Sequence, residues 1–184
     1  MSSAKIIYTI GHSDRTAGEF LGVLHAYDIK ILIDVRAYPY SSRFPQFGQE
    51  ILRQTVIDAG IDYYWAGKQL GGMRTARQPG SHPGLSSDSM RGYAEYMQTP
   101  LFEKSIEQIT SLAGRAVTAI MCAEKNACQC HRFLISDYLT LKNVVVTHLI
   151  NKSDSVPHQL SSQVRKESSG LMYDRNVTGS FDFQ

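Results

Sequence analysis

The stretch AVTAIMCAEKNACQCHRFLISDYL, residues 116–139, decides how the rest of the chain is read. It begins as an apolar run ending in Cys122, the pattern of a strand buried on both faces of a parallel sheet. It ends in a helix-like pattern that opens with His131 and Arg132 and continues through FLISDYLTLK. A buried strand that passes through a short polar connection into a helix is half of a strand–helix–strand unit. This one stretch also holds all three cysteines of the chain, together with Glu124 and Lys125.

The same alternation extends in both directions. KIIYTI at 5–10 is a short β-rich run that stops at Gly11. Thr16 is placed to cap a helix over 17–27, whose Phe20, Leu21, Leu24 and Tyr27 share one face. KILIDV at 30–35 reads as a second buried strand, and Ile51, Leu52, Val56 and Ala59 mark a helix that Gly60 ends. IDYYWA at 61–66 is a third strand. About twenty residues rich in Gly, Pro and Arg follow, GKQLGGMRTARQPGSHPGLSS, a length that compact domains reserve for functional or mobile loops. Their glycines suit a lid. Helices are expected over 88–98 and from Thr99 as cap with Pro100 as first helical residue, and NVVVTHLI supplies a fifth strand. The expected fold is therefore α/β, a single domain with a mostly parallel, Rossmann-like sheet of about five strands flanked by helices. The domain spans 1–160, and 161–184 forms an extension read as a last helix or a loose tail.

Composition fits a soluble globular chain: 184 residues, 42% hydrophobic and 20% charged. A formal charge of +2 neither demands nor excludes a polyanionic partner. Three cysteines within nine positions form no disulfide framework, so a reducing cytoplasm is expected. The start carries no long apolar segment after its first charge, and no apolar run is long enough to cross a bilayer.

In a parallel sheet, ligands bind beyond the carboxyl ends of the strands. Reactive side chains collect there. His12 and Ser13 follow the first strand, Asp34 and Arg36 the second, Cys122, Glu124 and Lys125 the fourth, and His148 the fifth. The opposite ends, SSA, YDI, DAGI, LAGR and LKN, are poorer in such groups. One rim thus carries the site. Bland readings stand beside the functional ones. His12 or Ser13 can simply cap the turn, Arg43 can be surface, and His148 can be a hydrogen-bonded core histidine. Asp34 and Arg36, two apart on extended chain, share a face and suit an ion pair as well as a ligand contact.

Three chemistries compete for MCAEKNACQCHR. A phosphatase- or rhodanese-like anion loop needs a Cys and an Arg six apart, yet six on from Cys122 is Cys128 and six on from Cys128 is Leu134. A metal is the second. The cysteine spacing matches neither paired C-x-x-C zinc sites nor C-x-x-C-H haem attachment, so no metal ligand is assigned. The third is a thiol in a cationic pocket, with Lys125, His131 and Arg132 lowering the pKa of Cys122. Against it stands Cys122 as a small buried hydrophobe.

Taken together, TIGHS at 9–13, LIDVRAYPYSSRFPQF at 32–47, LGG at 70–72, MCAEKNACQCHR at 121–132, THLI at 147–150 and PH at 157–158 resemble one bacterial and archaeal family. It is the domain-of-unknown-function family numbered 488, and the likeness runs over about residues 5–160. The resemblance implies a small α/β domain and a motif set, not a reaction. Its blocks fall on His12, Ser13, Asp34, Arg36, Arg43, Cys122, Glu124, Lys125, Cys130, His131 and Arg132, with Cys128 in the variable part of the loop.

The expectation is an enzyme with Cys122 as nucleophile or redox thiol and Glu124 and His131 as proton-transfer groups. Arg36, Arg43, Lys125 and Arg132 would hold an anionic, phosphate-bearing, nucleotide-like ligand, with His12, Ser13 and Asp34 completing the set. Tyr38, Tyr40 or Trp65 are available for stacking on a nucleotide or a nucleic-acid end. The rivals are a non-catalytic ligand- or nucleic-acid-binding module and a Cys/His metal protein. No membrane partner is expected, and the sequence names neither a cofactor nor an oligomeric state.

Overall fold

The computed structural model describes residues 5–167 and 170–175. Its centre is a six-stranded sheet in the order β3-β2-β4-β1-β5-β6. The strands are β1 Ile6–Gly11, β2 Ile31–Asp34, β3 Asp62–Trp65, β4 Thr118–Cys122, β5 Val145–Leu149 and β6 Ser155–Pro157. The first five are parallel where they pair, and β6 adds an antiparallel edge to β5. The fold is mixed α/β, with one strand more than the sequence suggested.

β4 lies between β1 and β2, and all five of its residues are buried. Its side chains alternate between two cores, as the period of two in a strand requires. Ile120 and Cys122 join the core beneath α4 (Asp88–Tyr96), α5 (Pro100–Ala113) and α6 (His131–Leu141). Ala119 and Met121 join the core beneath α1 (Ala17–Ala26) and α2 (Gln49–Asp58). A short α3, Gly67–Leu70, follows β3.

The helix starts obey local chemistry. Thr16 and Glu19 form a reciprocal capping box on α1, Thr99 caps α5 with Pro100 in its first turn, and Ser87 caps α4. The expected extension over 161–184 is neither a last helix nor a loose tail in its described part. β7 (Val164–Glu167) and β8 (Gly170–Tyr173) form an antiparallel hairpin. Its Val164, Leu171 and Tyr173 are buried with α6, an apolar every-other-residue face that needs a partner surface to be recognised. Residues 176–184 of the expected extension lie outside the described residues.

Candidate functional site

The strand order places β4 at a crossover, because β1 and β2 are consecutive in sequence but separated by β4 in the sheet. Open α/β sheets bind ligands in the crevice at such a point. The registers align the strand ends there, with Gly11 beside Cys122 and Asp34 beside Met121. Beyond them the chain stays tied. His12 N–H donates to Cys122 O, Ser13 N–H to Ala123 O and Val35 N–H to Met121 O, each at 2.9 Å. Ser13 turns the chain away with a φ of 52°, a left-handed conformation uncommon outside glycine. Gly11 is required by contact, since a Cβ there would lie 1.8 Å from the carbonyl oxygen of Glu124.

From Cys122 the connection runs outward through exposed residues 123–126 and returns by a single 3₁₀ turn, Ala127–Gln129. That return places Cys130 Sγ 2.7 Å from Cys122 Sγ, with both cysteines free and buried. Cys130 is also the N-cap of α6, its sulfur accepting the Arg132 N–H at 3.4 Å. His131 Nδ1 stands 3.5 Å from the same sulfur, while its Nε2 is 3.1 Å from Val35 O. A carbonyl only accepts, so Nε2 carries a hydrogen, and a proton shared with Cys130 lies between Nδ1 and the sulfur. Gly72 leaves room for this ring, because a Cβ there would fall 2.3 Å from Nδ1.

The two thiols have opposite tendencies. Burial and the adjacent sulfur push Cys122 well up. The hydrogen bond from Cys122, then those from His131 and the nearby Arg132 charge, hold Cys130 well below the ordinary thiol range despite its burial. Of the two, Cys130 at the helix start is the better placed to carry negative charge.

Beside the cysteines lies a buried ion pair. Arg36 Nη2 and Nε reach Asp34 at 2.6 and 2.9 Å, and both side chains are almost fully buried. Tyr63 donates its hydroxyl to Asp34 at 2.7 Å, and burial raises its pKa, followed by the carboxylate. Arg36 Nη1 donates to Phe47 O at 2.8 Å and meets His12 Nε2 at 3.3 Å. His12 Nδ1–H donates to Ser13 O at 2.9 Å, so Nε2 is the unprotonated nitrogen. Burial, reinforced by Arg36, lowers the His12 pKa to about 4. The ring stacks on Phe47 with centroids 4.3 Å apart.

The two cysteines, His131, His12 and Arg36 border one cleft of about 870 Å³. Of the residues expected at a site, His12, Ser13, Arg36, Arg43, Cys122, Glu124, Lys125 and His131 line it. Asp34 and Arg132 do not. Asp34 orients Arg36 from behind, and Arg132, 1% exposed, holds the loop by donating to Glu124 O at 2.8 Å. The buried Nε of Arg132 has no hydrogen-bond partner among the described residues. Sequence reasoning gave no role to Phe44, Met90 and the two serines Ser87 and Ser89 on the far wall, which come from segments distant in sequence with no shared pattern. Tyr38, Tyr40 and Met73 stand exposed at the rim.

The long Gly/Pro/Arg segment is anchored where a lid was expected. Arg74 lies 3.2 Å over the Tyr96 ring, and Glu95 accepts the N–H groups of Arg77 and Gln78. His148, on the far side of β1, sits in a separate, half-buried chain. Thr9 Oγ1 and His148 Nδ1 are 2.7 Å apart, His148 and His158 are joined at 2.9 Å, and His158 reaches Asp137 at 2.9 Å. Among the described residues no group of three His, Cys, Asp or Glu side chains is arranged to hold a metal, and no helix is long and apolar enough to cross a membrane.

A family model described as Domain of unknown function DUF488 matches residues 16–139, which include the cysteine stretch and most of the cleft. Neither a curated protein nor a solved structure matches the chain.

Proposed function

The chain belongs to the DUF488 family, a domain of unknown function, and on that premise we propose that it is an enzyme acting on an anionic, phosphate-bearing, nucleotide-like ligand in this cleft. One observation carries the reading. Cys130 caps α6 against His131 Nδ1 and the Arg132 N–H, on the floor of a cleft whose rim bears Arg43 and Lys125. A thiolate is the reactive form of cysteine, and a helix start beside an imidazole favours it. Cys130 therefore takes the role of nucleophile in this reading, although the sequence pointed to Cys122, whose pKa burial pushes up.

The remaining parts follow from their positions. His131 Nδ1 exchanges a proton with the thiol, and Cys122 stabilises the thiolate by hydrogen bonding. Glu124, exposed on the wall, is the second proton-transfer group. Arg43 and Lys125 meet the phosphate and offset the Asp14 and Glu124 charges that share the rim. Tyr38 and Tyr40, 73% and 81% exposed, offer faces on which a base can stack. A cytoplasmic location goes with this reading, since three unpaired cysteines suit a reducing compartment.

Calorimetric titration with the four ribonucleoside 5′-monophosphates and with inorganic phosphate tests the ligand. At least one nucleotide should bind more tightly than phosphate, and Arg43→Ala or Lys125→Ala should weaken it about tenfold, the loss of one charge-assisted hydrogen bond. No heat with any of them removes the nucleotide reading. Cys130→Ser separates enzyme from carrier, because an enzyme keeps binding and loses turnover. A nucleic-acid ligand is recognised by affinity for a single-stranded oligonucleotide that falls steeply with salt.

A further inference from the structure

The free sulfurs of Cys122 and Cys130 are 2.7 Å apart, about 0.7 Å beyond a disulfide bond. We propose that the pair is a two-cysteine redox centre oxidised by a small hydroperoxide, with Cys130 as the attacking thiol and Cys122 as the resolving thiol. The inference takes the Cys130 thiolate from the reading above but requires no anionic ligand.

The backbone gives the two cysteines unequal freedom. Cys122 is fixed in β4, which pairs with β1 and β2 along its length. Cys130 follows a one-turn 3₁₀ segment in an exposed connection, so it can shift without breaking a sheet pairing. Access is narrow as well. The two residues are 2% and 5% exposed, yet both border the cleft. So small an exposed area favours a small hydroperoxide over a bulky disulfide as the oxidant.

In the first step the Cys130 thiolate attacks the outer oxygen of the hydroperoxide. The S–O bond forms, the O–O bond breaks, and the alkoxide or hydroxide leaves and takes the proton that Cys130 had given to His131 Nδ1. Cys130 becomes a sulfenic acid, oxidised by two electrons. In the second step Cys122 attacks the Cys130 sulfur, the S–O bond breaks, and the departing hydroxide takes the Cys122 proton as water. A dithiol reductant returns the two electrons by thiol–disulfide exchange. The disulfide removes the thiolate that faces His131 and the α6 N–H groups, so oxidation silences the thiol chemistry of the cleft.

The experiment uses the full chain carrying Cys128→Ser, which removes the exposed thiol. After anaerobic reduction it receives one equivalent of hydrogen peroxide, and the sample is quenched with acid and its remaining thiols alkylated before digestion. Trypsin cuts after Lys125 and Arg132, so the two cysteines fall on separate peptides. The expected result is near-complete linkage of those peptides, reversed by dithiothreitol. With Cys122→Ser added, Cys130 should stop at a sulfenic acid that dimedone traps. Independent oxidation of the two cysteines, without linkage in the chain that keeps both, overturns the proposal. That result leaves the nucleotide titration untouched, so the two readings fail separately.

Discussion

His12 Nε2 faces Arg36 Nη1 at 3.3 Å, and two groups this buried cannot both be cations at that distance. His148 is likewise lowered to about 4, first by burial and then by His158. Both histidines therefore bind protons less readily folded than unfolded, where the ordinary value is 6.5. Their contribution is complete above that value and is lost as the pH falls toward 4. Between about pH 7.5 and pH 5 each should cost about 2 kcal/mol of stability, measured by urea unfolding. His12→Asn should remove about half of this dependence. Equal stability at the two pH values would show that the rings protonate freely in the folded chain.

Cys130 should remain ionised below the ordinary thiol range because Cys122, His131 and Arg132 stabilise its anion. Thiolate absorbance in the far ultraviolet, followed in the Cys128→Ser chain, should persist as the pH is lowered and should vanish in Cys130→Ser. Cys122→Ala removes the largest stabilising hydrogen bond, so the midpoint should rise. A wild-type midpoint in the ordinary thiol range would leave Cys130 without its assigned charge.

The rim of the sheet was legible in the sequence because strands written as apolar runs end where their polar residues begin. Asp34 and Arg36 were legible too, since residues two apart on extended chain share a face. The cysteine pair was not. Nothing in the spacing of 122 and 130 reveals that the 3₁₀ turn Ala127–Gln129 folds the chain back to bring the sulfurs together. Arg132 was expected at the ligand, but α6 is buried almost all round, so its first-turn arginine turns inward to loop carbonyls. Glu95 gave no sign that it would anchor the loop at Arg77 and Gln78, because that bond depends on where α4 packs.

Gly72→Ala tests whether the His131 ring is held by space alone. The new Cβ would meet Nδ1 at 2.3 Å while Nε2 remains tied to Val35 O, so the ring must turn away from the sulfur. The stability cost should be about 1–3 kcal/mol, the range for overpacking, and the Cys130 midpoint should rise. Gly18→Ala is the contrast. Its Cβ meets nothing within 4 Å and lies in α1, so it should stabilise by up to about 1 kcal/mol. If both substitutions shift the thiol titration alike, the ring contact is not what sets it.

Asp137 is fully buried and accepts from three donors at once: His158 Nε2 at 2.9 Å, the Ser161 N–H at 2.9 Å and the Tyr173 hydroxyl at 3.0 Å. It thereby ties α6 to the end of β6 and to the hairpin strand β8. Asp137→Ala leaves those donors unpaired in the interior, and the expected loss is about 3–5 kcal/mol by urea unfolding. Tyr173→Phe removes one donor and leaves the carboxylate two others, so it should cost about 1 kcal/mol. The double variant decides between a network and two separate contacts. Once Asp137 is gone the tyrosine hydroxyl has lost its acceptor, so adding Tyr173→Phe should cost almost nothing further. Strictly additive losses would mean that the Tyr173 hydroxyl is stabilised by something other than Asp137, with the carboxylate serving only His158 and Ser161.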